Sequence, residues 1–117
     1  MLFRSPSGKR LAATTLTAVL VVWDIEADRL IAELTAPEAA ANSVAYSPDG
    51  RCLASGGDDC LLCLWDAETH KLLASADIRT QVRQVSFAPD SQSLFTANGN
   101  GTCYQLDVKQ LLSAGTS

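Results

Sequence analysis

The sequence predicts an all-β chain of three consecutive repeats, each a small four-stranded antiparallel sheet. Three observations carry that prediction. A Trp-Asp pair closes an apolar run at Trp23-Asp24 and again 42 residues on at Trp65-Asp66, and Leu106-Asp107 stands a further 41 residues along. Turn-like tetrads at Ser5-Pro6-Ser7-Gly8, Ser47-Pro48-Asp49-Gly50 and Ala88-Pro89-Asp90-Ser91 keep the same two intervals. Between these markers "KRLAATTLTAVLVVWD", "RCLASGGDDCLLCLWD" and "QSLFTANGNGTCYQLD" align without a gap. Self-similarity at a fixed period of about forty residues is the signature of a repeat architecture.

The second repeat shows its elements most plainly. "SVAYS" (Ser43 to Ser47) reads as a first strand ended by Pro48-Asp49-Gly50, where proline presets φ and Asp-Gly tolerates a positive φ. "CLASG" then leads through Gly57-Asp58-Asp59 into "LLCLWD", and "KLLASAD" comes after a turn at Glu68 to His70. Short strands punctuated this often imply hairpins. "VLVVW" and "LLCLW" are apolar at every position, which a sheet with one wet face would not tolerate. A radial stack, in which each sheet packs between two neighbours, covers both faces. Leu30 to Thr35 lies among strong helix formers, so its composition also allows a short helix. Its alignment with "KLLASAD" predicts a strand instead.

Bulk composition excludes several function classes. Nine basic residues against thirteen acidic ones give a net charge of −4, the wrong sign for a surface that tracks phosphates. Nucleic acid is therefore not an expected partner. The longest apolar run, beginning at Ala18, is far shorter than the roughly 20 residues that a membrane helix needs, and the opening residues lack a signal-peptide core. Neither secretion nor a membrane is expected, which leaves cytoplasm or nucleus. Cys60 and Cys63 have a zinc-knuckle gap, but no second pair succeeds them and His70 is the single histidine. Cys52, Cys60, Cys63 and Cys103 read as reduced thiols, with no metal and no cofactor implied.

"VAYSPDG", "LASGGDD" and "LCLWD", with partial copies on either side, resemble the WD-repeat β-propeller family over nearly the whole chain. The resemblance implies three four-stranded blades, at about residues 1–36, 42–78 and 82–117, forming an incomplete disc or one completed by oligomerisation. A radial arrangement closes with about four to eight blades. The remaining blades are then expected from a longer parent chain or from self-association.

In this family a hydrogen-bond network ties each blade together. Its positions map onto Ser55, Asp59 and Trp65 in the second repeat, onto Thr96 in the third and onto Trp23 in the first. Asn100 and Leu106 replace Asp and Trp in the third repeat, while Ala13 and Thr17 replace Ser and Asp in the first. No repeat holds the complete network. Both tryptophans, lying inside apolar strands, are expected to pack between blades.

The family binds partners through loops on the faces of its disc, with no catalytic chemistry of its own. Carried over by position, Glu38, Asp58, Arg79, Gln81 and Gly99 are the candidates for protein binding. Asp49, Arg51, Glu68, His70 and Lys71 fall on the opposite face and share no visible theme. The expected function is a non-catalytic scaffold that offers blade loops to a protein or peptide in a multi-protein complex. One alternative is a ubiquitin-ligase substrate receptor, although such receptors place Arg two residues after Trp-Asp, where Glu26 and Glu68 stand here. An RNA-associated propeller is a more distant one. An enzyme is opposed by a lone histidine and by the absence of a nucleophile elbow or phosphate loop.

Overall fold

The structure, a computed structural model, describes residues 2–14, 20–34, 41–58 and 60–115. The first sheet comprises β1 (Leu2–Arg4), β2 (Arg10–Thr14), β3 (Leu20–Asp24) and β4 (Arg29–Leu34). The second comprises β5 (Ala41–Tyr46), β6 (Cys52–Gly57), β7 (Leu61–Asp66) and β8 (Leu72–Asp77). The third has β9 (Val82–Phe87), β10 (Ser93–Asn98) and β11 (Cys103–Asp107), and a helix, α1 (Val108–Gly115), comes after it. Each sheet is an antiparallel meander in chain order. The segment around Leu30 is strand β4, as its alignment predicts, rather than a helix.

The expectation of four strands per repeat fails in the third, where α1 stands in place of the last strand. The reason lies in the residues after Asp107, the counterpart of Asp66. The Asp66 carboxylate accepts the N–H groups of Glu68 and Thr69 and turns the chain back into β8. The Asp107 carboxylate likewise accepts the N–H three residues on, that of Gln110, and here the bond caps a helix. The segment Val108-Lys109-Gln110-Leu111-Leu112 contains good helix formers and no turn residue. The helix packs against β8, and Val108, Leu111 and Leu112 join the second core.

The proline turns repeat down to the backbone hydrogen bonds. Ser5, Ser47 and Ala88 each donate an N–H to the start of the next strand, to the carbonyls of Arg10, Cys52 and Ser93. Each also accepts an N–H within its own turn, from Gly8, Gly50 and Ser91. Those three residues have positive φ, which glycine tolerates freely and Ser91 adopts at 62°.

Two cores separate three sheets. Along β5 to β7 successive residues face opposite neighbours. Val44, Tyr46, Leu53, Cys63 and Trp65 pack toward the first sheet with Leu20 and Val22. Ala45, Ala54, Leu62 and Leu64 pack toward the third with Val85 and Leu94. The period of two is therefore present, but both of its phases are dry. Each fully buried Leu or Val contributes about 1.5–3 kcal/mol, so the middle sheet is held from both sides. Neighbouring sheets touch through their first and second strands, β1 and β2 on β5, then β5 and β6 on β9. The arc is therefore drawn together along one edge.

The outer faces of the arc are open. Trp23, on the face of the first sheet away from the second, is 37% exposed, and Phe95, on the outer face of the third, is 42% exposed. This corrects the expectation that Trp23 packs between sheets as Trp65 does. The indole has the same place in its repeat but no sheet beside it among the described residues.

Candidate functional site

Strand direction sorts the connections into two ends. At one end lie the turns between β6 and β7 and between β10 and β11, with the links between sheets. Short hydrogen bonds tie them: the Asn42 amide donates to the Asp58 carboxylate at 2.7 Å, and the Gly99 N–H to the Gln81 carbonyl at 2.8 Å. The Ile78 N–H donates to the Cys60 carbonyl, and the Arg79 N–H to the Asp77 carboxylate. Asp58, Arg79, Gln81 and Gly99 are all exposed at this end. Gln81 and Gly99 are brought into direct contact, with Asp58 and Arg79 on the adjoining turn and link. Glu38 lies outside the described residues. Arg79 has a φ of 64°, an uncommon conformation for a side-chain-bearing residue, which the Asp77 bond to its N–H supports.

The buried polar positions differ sharply between repeats. In the second, the Trp65 Nε1–H donates to Ser55 Oγ at 3.0 Å, with both side chains buried. Asp59 lies outside the described residues. In the third, Leu106 stands where Trp65 would, and Thr96 Oγ1 is buried with no hydrogen-bond partner among the described residues. The Asn98 side-chain oxygen is likewise unpartnered, although its amide donates to Thr102. Across the sheets, Ser43 Oγ accepts the Val85 N–H at 3.1 Å, which joins the first strands of the second and third repeats.

The opposite end, without theme in the sequence, holds the more concentrated chemistry. A hollow opens at the junction of the first two sheets, lined by Ser5, Ser7, Lys9, Arg10, Tyr46 and Asp49 among others. Arg10 crosses the junction, with Nη1–H donating to the Ala67 carbonyl at 3.2 Å. The Tyr46 side chain is 4% exposed and its hydroxyl has no partner among the described residues. Burial pushes its phenol pKa up, with the Arg10 charge opposing. His70, in a turn at the same end, also has a buried Nε2 with no partner among the described residues. Burial, then the Arg10 charge, hold the imidazole pKa below its ordinary value, and Asp66 pulls the other way. The Asp49 carboxyl is held low first by its bond from the Ser47 hydroxyl, and also by the Arg51 N–H.

Sequence reading missed Arg10 and Tyr46 as a pair. A signal existed: Cys52 and Phe87 stand at their places one repeat on, so both depart from the repeat toward polarity. Their proximity, though, joins positions on two sheets that no spacing within one repeat displays.

Among the described residues no three His, Cys, Asp or Glu side chains converge to hold a metal. Nor is any described helix long and apolar enough to cross a membrane. None of the four cysteines is in a disulfide; Cys63 is buried and Cys103 exposed.

Residues 28–66 match the WD40 family model, described as WD domain, G-beta repeat. No curated protein sequence matches the chain. Among solved structures, the β-propeller domain of Cps50 (Swd1) from Myceliophteria thermophila superposes with a TM-score of 0.82 at 21% identity, over 92% of this chain. The chain spans 35% of that structure's length. At that identity the likeness is one of fold.

Proposed function

We propose that this chain, a WD-repeat propeller segment, is a non-catalytic scaffold that presents its blade loops to a protein or peptide partner within a multi-protein complex. The observation that carries the reading is the cluster of exposed, hydrogen-bonded loops at one end of the sheets, with Asp58, Arg79, Gln81 and Gly99 on a framework cored from both sides. Loops on a rigid scaffold are where recognition concentrates, because the scaffold has already met the cost of ordering them. The open outer faces at Trp23 and Phe95 suit further blades, from a longer parent chain or from another copy. Cysteines without a disulfide suit a reducing compartment, cytoplasm or nucleus.

The test is affinity capture with the tagged chain against a triple variant, Asp58→Ala, Arg79→Ala and Gln81→Ala. Partners retained by the parent and lost by the variant are the expected result. Equal retention by both would remove the loop end as the binding surface. Turnover by the pure chain in a hydrolase and transferase screen would remove the non-catalytic assignment.

A further inference from the structure

We infer that the hollow between the first and second sheets is a binding site for a single carboxylate or phosphate group, held by Lys9 and Arg10 with the Tyr46 hydroxyl donating from the inner wall. The site lies at the end of the sheets opposite the loops of the proposed function. It rests on that reading only in taking the anion to belong to a peptide partner.

The charge balance of the lining supports it. Lys9 and Arg10 supply two cations against one carboxylate, Asp49. That carboxylate is occupied within its own turn by the Ser47 hydroxyl and the Arg51 N–H. Arg10 is anchored to the Ala67 carbonyl through Nη1, which fixes the guanidinium across the junction with its other N–H groups available in number for an oxyanion. Guanidinium and ammonium donors make short, charge-assisted bonds to carboxylate and phosphate oxygens.

The buried Tyr46 hydroxyl supplies an independent observation. A buried donor without a partner is rare in a folded protein and calls for an explanation. A phenol is protonated at neutral pH, and burial only pushes its pKa further up, so the hydroxyl is a donor toward an anion. The hydroxyl is closed off from solvent here, so its engagement requires the lining of the hollow to shift around the incoming group while Arg10 keeps its anchor on Ala67. Lys9, an exposed and flexible chain in that lining, can move to admit it.

The repeat provides its own control. An equivalent hollow lies at the junction of the second and third sheets, lined by Asp49, Arg51, Cys52, Asp90, Lys109 and neighbouring residues. Its two cations face two carboxylates and Cys52 takes the place of Arg10, while Phe87, the repeat counterpart of Tyr46, does not line it. The same turns thus build a hollow without the excess charge and without the unpartnered hydroxyl.

Amide shifts of the full 117-residue chain, titrated with inorganic phosphate and separately with acetate at constant ionic strength in chloride, test the site. Saturable shifts at Gly8, Arg10, Gly50 and Ala67, with Gln92 and Lys109 unmoved, are expected. Tyr46→Phe and Arg10→Gln should each weaken binding by about tenfold, the loss of one charge-assisted bond. Tyr46→Phe keeps the ring and its packing, so a melting curve matching the parent's keeps that variant interpretable. Saturation by phosphate alone would point to a phosphorylated side chain, and saturation by both to a carboxylate. Flat titrations with both anions, equal shifts at the second hollow, or parental affinity in both variants would overturn the site. If partners are still captured through the loop end while these titrations stay flat, the hollow fails and the scaffold reading stands.

Discussion

Gly56 and Val82 bring the second and third sheets closer than any side chain at position 56 would permit. A Cβ built on Gly56 would lie 2.5 Å from Val82 Cγ1 and 2.7 Å from its Cβ. Val82 is fully buried, and its branched side chain has no flexible end to move aside. Gly56→Ala should therefore cost about 1–3 kcal/mol through overpacking, lowering the melting temperature by about 4–8 °C per kcal/mol in a domain near this size. Adding Val82→Ala should recover part of that loss, because it opens the space. Additive losses in the double variant would show that the contact does not set the spacing.

The Ser55–Trp65 bond and the unpartnered Thr96 make opposite predictions at equivalent positions. Ser55→Ala leaves a buried indole N–H unmet and should cost about 1–3 kcal/mol. Thr96→Val removes a hydroxyl that already lacks a partner, and should leave stability unchanged or raise it slightly. Chemical denaturation of both variants checks the pair. Equal destabilisation would mean that Thr96 has a partner in solution.

Trp65 and Trp23 close the same motif in different surroundings. Trp65 is 4% exposed, so Trp65→Ala should cost about 3–5 kcal/mol, as large aromatic truncations in cores do. Trp23→Ala should cost clearly less, because that indole is already partly in water. Tryptophan emission of the two single-Trp variants gives a second readout. The variant retaining Trp23 should emit at longer wavelength, and reversed positions would contradict the open face.

His70 contributes a pH dependence whose sign is set by its surroundings. Its folded-state pKa lies below the ordinary 6.5, from burial and then the Arg10 charge, so the unfolded chain takes up the proton first. The stability it contributes is complete above about pH 6.5 and is lost as pH falls through the lower folded value. Denaturation midpoints should drop between pH 7.5 and 5.5, and His70→Asn, which tolerates the positive φ there, should flatten that drop. Asp49 and Asp66, held low by the Ser47 hydroxyl and by the Thr69 and Glu68 N–H groups respectively, add a further loss below about pH 4. A parental slope in His70→Asn would assign the upper step to another group.

The repeat itself was legible because its markers are covalent neighbours. Proline turns, Asp-Gly and apolar strand cores act over a few residues, so 42- and 41-residue intervals determined the meander of each sheet and its turn chemistry from sequence alone. The dry faces of "LLCLW" were legible too, since an unbroken apolar run admits no wet side. The helix at Val108 had a signal in the helix formers after Asp107, although the repeat itself predicts a fourth strand there. Other features were out of reach. "VVWD" and "CLWD" are near copies, yet one indole is buried and the other open, because burial depends on whether a sheet stands alongside. Ser55 and Thr96 are equally apt hydroxyls, and only the residue across the sheet, Trp65 or Leu106, decides which is satisfied. Arg10 meets Tyr46 and Ala67 across a junction spanning dozens of residues. Local propensity determined the strands; the packing of one sheet on the next decided which of their polar atoms are left to bind something else.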